Sequence, residues 1–140
     1  MHVMIDRQLL YSVFLSELRC SLYSCEMWPC PDTGLGKGLD SCGSDCYSDS
    51  DIQAALNQGY QDYQDGNSPD DYPHQYEDYE GFSFPDPGPY YEFPILADEE
   101  VYTGGSPGAD RVIFTGSGQY EGLITHTGAS SYDGFVQCSS

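Results

Sequence analysis

The sequence predicts an α+β domain: one α-helix packed on a twisted antiparallel β-sheet, with the ends tied by a disulfide. Three observations predict it. A single stretch, "SDSDIQAALNQGYQDYQDG" (48–66), carries a helical apolar stripe; a series of strand-like runs follows it; and cysteines stand at both ends of the region, at 42 and 46 and at 138. The 140 residues fit one domain, 41–140, after a segment of different character, 1–40.

The helix comes first. Ile52, Ala55, Leu56, Gly59, Tyr60 and Tyr63 recur at the spacing of one helical face. Ser50 with Gln53 reads as a capping box, Asp49 and Asp51 suit the positive N-terminal end, and Gly66 suits the stop. Strand signals follow at "YYEFPIL" (90–96), "RVIFT" (111–115), "YEGLITHT" (120–127) and "FVQC" (135–138). Gly-, Pro- and Ser-rich loops such as "PDPGP" and "TGGSPGAD" separate them. One helix followed by strands favours a helix lying on an antiparallel sheet.

The charge is extreme. Twenty-three acids face four Lys and Arg, a net charge of -19, and beyond residue 40 eighteen acids face Arg111 alone. Such acidity accompanies disorder in chains poor in apolar residues. Here 13 Tyr, 6 Phe and several β-branched runs supply a core, so the region is read as folded. A protein that grips nucleic acid through many phosphates needs many cations and is excluded. A catalyst that releases its product quickly is not.

Residues 1–40 contain an apolar run, "LLYSVFL" (9–15), of signal-peptide length but too short to span a membrane. Its flanks fit a leader poorly. A degenerate or wrongly drawn leader is preferred over a pro-region or an extra disulfide lobe. None of the cysteines at 20, 25, 30, 42, 46 and 138 makes a CxxC pair, which argues against structural zinc. Cysteines at the two ends of the folded part suit a small secreted domain, although six allow 15 pairings.

Several polar residues sit where a core strand should be apolar. Glu92 lies inside "YYEFPIL", Arg111 opens "RVIFT" and His126 lies in "LITHTG". Each alone suits an outward strand position in water. His74, in "DDYPHQYEDYEGF" (70–82), alone suits a solvated acidic loop. Arg111, His74 and His126 are the only basic residues of the folded part. If neighbouring strands pair, a carboxylate, two imidazoles and a guanidinium converge on one face. That set suits phosphoryl transfer by general acid–base catalysis, with no metal and no other cofactor. A lone carboxylate pair among so many acids would be a weak glycosidase signal.

The ordered motifs "CGSDCYS", "YPHQY", "YEDYEGF", "PYYEFPI", "VYTGGSPGADRV", "ITHTGAS" and "GFVQC" resemble the small secreted guanyl-specific ribonucleases of fungi, the ribonuclease T-one type, from about Ser41 to Ser139. The resemblance implies the microbial ribonuclease fold and cleavage of single-stranded RNA 3′ of guanosine, through a 2′,3′-cyclic phosphate to a 3′-phosphate. It makes Glu92 the general base and His126 the general acid. Arg111 and His74 stabilise charge at the phosphate, and Tyr72 and Phe135 line that subsite. A negative surround favours protonated imidazole, which suits a proton donor and disfavours His74 as the base. Base recognition falls to Tyr76, Glu77, Asp78, Tyr79 and Glu80, with Glu80 accepting from the N1 and N2 hydrogens of guanine.

Three departures stand out. Glu77 and Asp78 replace two residues that are commonly Asn. "ASSYDGF" is one residue longer than usual and is similar to the purine-preferring branch. Gly38 stands where the family often has a cysteine, so Cys42–Cys138 is expected to persist while Cys46 lacks its customary partner, with Cys30 the substitute. Tyr72–Pro73 and Gly88–Pro89 match bonds that are cis in the family. The resemblance further implies a secreted monomer with no membrane association and no obligate protein partner. The alternatives are a purine-preferring ribonuclease and a catalytically weak acidic secreted interaction protein.

Overall fold

The structure is a computed structural model that describes Cys30 and residues 39–140. The apolar run 9–15, Cys20 and Cys25 lie outside the described residues. The chain divides into two units, Met1–Pro31 and Asp32–Ser140, and every element below belongs to the second.

"SCGSDCYS", with its close-set cysteines, forms a short hairpin: β1 (Asp40–Cys42) pairs antiparallel with β2 (Asp45–Tyr47). Gly43 makes the turn at φ +62°, and a Cβ there would also meet Thr127 at 2.7 Å, so the site needs glycine on two counts. The helix α1 spans Asp49–Asp65 and ends on Gly66 in the left-handed conformation, as expected. Its start differs from the expected Ser50–Gln53 box. Ser48 is the N-cap: its Oγ accepts from Asp51 N–H at 3.2 Å, and Asp51 Oδ2 accepts from Ser48 N–H at 2.8 Å. The helix begins two residues earlier than the Ser50 signal implies, because Asp51 closes the box as a Glu would, leaving Ser50 inside the first turn.

Ile52, Ala55, Leu56 and Gly59 are buried, whereas Tyr63 at the end of the stripe is 36% exposed and leans on Tyr91. Gly59 is where helix and sheet come closest. A Cβ there would lie 2.8 Å from Phe93 Cγ, so a helix-weakening residue is kept for the contact it permits.

The sheet is five-stranded and antiparallel throughout, in the order β3 (His74–Tyr76), β4 (Tyr90–Pro94), β5 (Asp110–Thr115), β6 (Tyr120–Thr125) and β7 (Val136–Gln137). The four anticipated runs all contain strands. β3 was not anticipated, since three residues amid acid and tyrosine give no alternation to detect. Period-two alternation sorts the residues into two faces. Phe93, Val112, Phe114 and Leu123 meet α1 in the main core. Tyr76, Ile113 and Ile124 point the other way, where Phe82, Phe84, Tyr90 and Phe135 cover them. β5 is covered on both sides and is buried along its whole length.

Cys42 and Cys138 are disulfide-bonded across a sequence separation of 96. Cys30 and Cys46 are each disulfide-bonded as well. Both anticipated prolyl bonds, Tyr72–Pro73 and Gly88–Pro89, are cis.

The cap assignment is testable by urea unfolding. Ser48→Ala is expected to cost about 1 kcal/mol, while Ser50→Ala leaves the midpoint nearly unchanged. A larger cost for Ser50→Ala than for Ser48→Ala would place the helix start at Ser50.

Candidate active site

The register of β3, β4 and β5 assembles the polar set. His74 pairs with Glu92 across β3–β4, and Arg111 lies opposite Pro94 across β4–β5. Glu92 and Pro94 share a strand face, so His74, Glu92 and Arg111 meet on the side away from α1. His74 is half-buried, and neither Glu92 nor Arg111 is an outward strand residue in free water. Glu92 is 7% exposed and Arg111 3%.

Glu92 is held from both sides. Its Oε1 lies 2.6 Å from His74 Nε2, and its Oε2 lies 3.3 Å from Arg111 Nε, an ion pair whose N–H is not aimed along a hydrogen bond. His74 Nδ1 is 2.9 Å from the Asp71 carbonyl oxygen. Both of its ring nitrogens therefore face acceptors, and only a ring protonated at both satisfies the two. The Glu92 hydrogen bond raises the His74 pKa, the Asp71 backbone contact adds to the rise, and burial opposes it. The Asp71 carbonyl reaches that nitrogen from a backbone at φ 76°. No sequence signal marked Asp71 for this part.

Arg111 is anchored by carbonyl oxygens. Its Nη1 donates to Gly108 at 2.9 Å, Asp110 at 2.9 Å and Pro107 at 3.3 Å, and Nη2 donates to Tyr72 Oη at 3.1 Å. The guanidinium also lies 5.0 Å from the Tyr72 ring centroid, and that ring packs at 4.6 Å on His74. The "GGSPGAD" loop thus serves as the arginine's cradle, which its turn-forming composition does not reveal.

His126 lies just beyond β6. Its Nδ1–H donates to the Gly134 carbonyl at 2.7 Å, which fixes the tautomer, and Phe135 stacks on the ring at 3.9 Å. His126 and Arg111 line one cleft with Gly108, Ala109, Tyr132 and Asp133. Tyr132 and Asp133 come from the "ASSYDGF" loop.

The "YEDYEGF" residues are placed unevenly. Tyr76, expected at the base, has its ring buried beneath the loop, and its O–H donates to Glu80 Oε1 at 2.6 Å. Tyr79 is 90% exposed, a free aromatic face, and Glu77 is exposed. Asp78 closes the loop: its Oδ1 accepts from Phe82 N–H at 2.9 Å while its backbone is left-handed at φ 51°. An Asn oxygen could make the same bond, and Asn and Asp tolerate that backbone best after Gly. The carboxylate at 78 is therefore compatible with the loop's geometry.

One helix on an antiparallel sheet, whose far face gathers a carboxylate, a guanidinium and two imidazoles, defines the microbial ribonuclease class. A ribonuclease family model matches residues 36–139. Over 71 residues the chain is 62% identical to guanyl-specific ribonuclease Ms of Aspergillus phoenicis, covering 51% of this chain and 68% of that one. It is 62% identical over 72 residues to guanyl-specific ribonuclease N1 of Neurospora crassa, covering 50% and 47%. The solved ribonuclease He1 from Hericium erinaceus superposes with a TM-score of 0.55 at 44% identity, covering 74% of this chain and all of that one. The chain belongs to this ribonuclease family, alongside the fungal guanyl-specific enzymes.

The His74–Glu92 pair has a definite pH signature. Its folded pKa lies above the ordinary 6.5, so folding favours the protonated ring. The resulting stabilisation is complete below about pH 6.5 and is lost as pH rises through the raised value. Glu92→Gln removes the largest cause, so the NMR titration midpoint of His74 is expected to fall. An unmoved midpoint would show that Glu92 does not govern it.

Proposed function

We propose that the chain is a secreted, monomeric endoribonuclease that cleaves single-stranded RNA 3′ of guanosine by acid–base catalysis. The observation that carries the mechanism is the clamp on Glu92, in which His74 already bears the proton that a base would need to accept. Glu92 is then the base. It takes the proton from the ribose 2′-OH, and the 2′-oxygen attacks phosphorus. His126, held by Gly134 at Nδ1, gives its Nε2 proton to the departing 5′-oxygen. The products are a 2′,3′-cyclic phosphate and a free 5′-OH, and water later opens the ring to a 3′-phosphate as the two groups exchange roles. Arg111, His74 and the Tyr72 hydroxyl stabilise the charge that grows on the phosphate oxygens, while Phe135 keeps water from one side of His126.

For the base, Glu80 is the reader. A carboxylate facing two parallel N–H donors matches guanine and leaves adenine, with an acceptor at N1, poorly paired. Tyr79 supplies the exposed ring for stacking. The disulfides and the guanyl-specific relatives support secretion. A purine-preferring reading has its own observation, because the lengthened loop puts Tyr132 and Asp133 into the cleft beside His126.

End-mapping of digested RNA tests the proposal. Fragments should end in guanosine 2′,3′-cyclic phosphate and later in 3′-phosphate, and GpC should be cleaved much faster than ApC. Comparable rates on both would establish the purine-preferring alternative. Glu92→Gln and His126→Gln are each expected to lower kcat by roughly 10²–10⁴-fold and to remove one limb of a bell-shaped pH profile. Near-full activity in both variants would sink the mechanism.

A further inference from the structure

Glu80 stands on an exposed loop, yet both of its carboxylate oxygens are engaged. Oε1 accepts from Tyr76 O–H at 2.6 Å and Oε2 accepts from Phe135 N–H at 3.1 Å. The second bond joins segments 55 residues apart. A carboxylate offers about four acceptor positions, so each oxygen keeps one for a base donor. Base recognition on its own has no need of the Phe135 bond.

What Phe135 does next gives that bond its meaning. Its ring stacks on His126 at 3.9 Å, and the carbonyl of the preceding residue, Gly134, accepts from His126 Nδ1–H at 2.7 Å. The loop between them closes mainly on itself, through Ala129 N–H to the His126 carbonyl at 3.1 Å and Gly134 N–H to the Ser131 carbonyl at 3.1 Å. β7, which follows, contributes only two paired residues. Tyr76 reaches the same place by a second route, its ring edge meeting Phe135 at 5.8 Å. Glu80 is thus a side-chain anchor, far along the chain, for the segment that orients His126.

We propose that Glu80 is the positioning residue for His126 as well as the base-reading carboxylate, fixing the general acid relative to the bound base through Phe135 and Gly134. The idea rests on the ribonuclease reading above for its functional meaning, but the tether exists in the free protein. With one carboxylate holding both ends, the base edge and the departing oxygen are set in register before substrate arrives.

The test reads the tether directly, by NMR of the free protein, with Glu80→Ala and Glu80→Gln compared. The His126 Nδ1–H resonance, protected by the Gly134 carbonyl, is expected to broaden into solvent exchange in Glu80→Ala while the His74 ring resonances stay in place. Glu80→Gln keeps an oxygen for Phe135 N–H, so the resonance should return although guanine preference is lost. On ApC, whose base offers Glu80 no N1 donor, Glu80→Ala should still lower kcat on the order of tenfold to a hundredfold, the scale of a group displaced by about an ångström. A His126 resonance unchanged in Glu80→Ala overturns the proposal, as does its loss in both variants. If Glu80→Ala loses only its preference for GpC, the ribonuclease reading stands without the tether. If the folded wild-type protein cleaves no RNA, that reading falls while the resonances still report on the tether.

Discussion

A carboxylate in the middle of a sheet, 7% exposed, sets the terms for everything around it. Glu92 cannot be buried as an anion unless cations and donors meet it there. The structure supplies one from each neighbouring strand, His74 on β3 and Arg111 on β5. That requirement fixes register: sliding β3 by one residue would turn His74 to the other face and leave Glu92 half-paired. It also explains the turns that serve the site. Asp71 takes a left-handed backbone to present its carbonyl to His74, and the "GGSPGAD" loop bends back to give Arg111 its carbonyl oxygens.

The same requirement decides what could be read from sequence. The helix was legible because an apolar stripe and terminal signals reinforce each other over seventeen residues. The strands were legible as β-branched and aromatic runs, and the misfit of Glu92, Arg111 and His126 within them pointed to the site. Its individual parts were not legible. β3 is three residues long and takes its place through pairing with β4, so local pattern carries no trace of it. Ser48 prevailed over Ser50 as the cap because Asp51 closes the box with it in place of the Glu or Gln that usually marks one. His74, Arg111 and His126 each have a backbone carbonyl among their partners, and a backbone oxygen has no residue type by which to recognise it.

Burial also reverses the naive expectation for the base loop. Tyr76 looks like a stacking residue by composition but is part of the minor core, where its hydroxyl helps hold Glu80. Asp78 looks like added repulsion toward RNA but spends its oxygen on closing the loop. In both cases a side chain in the motif supports the loop. Of the motif's acids, Asp78 and Glu80 are already committed to hydrogen bonds, while Glu77 is exposed.

This bears on how so acidic a chain could act on a polyanion at all. With a net charge of -19 its long-range field opposes the substrate, so binding must come from short-range contacts inside a site partly shielded from that field. Beyond residue 40, Arg111, His74 and His126 are the only basic side chains, and each is fixed by carbonyl oxygens. Such anchoring leaves these side chains little freedom to lose when a substrate binds. The surrounding acid then has a use: it disfavours retention of a product that carries an additional phosphate charge. A few preorganised cations within a repelling shell favour turnover over tight binding.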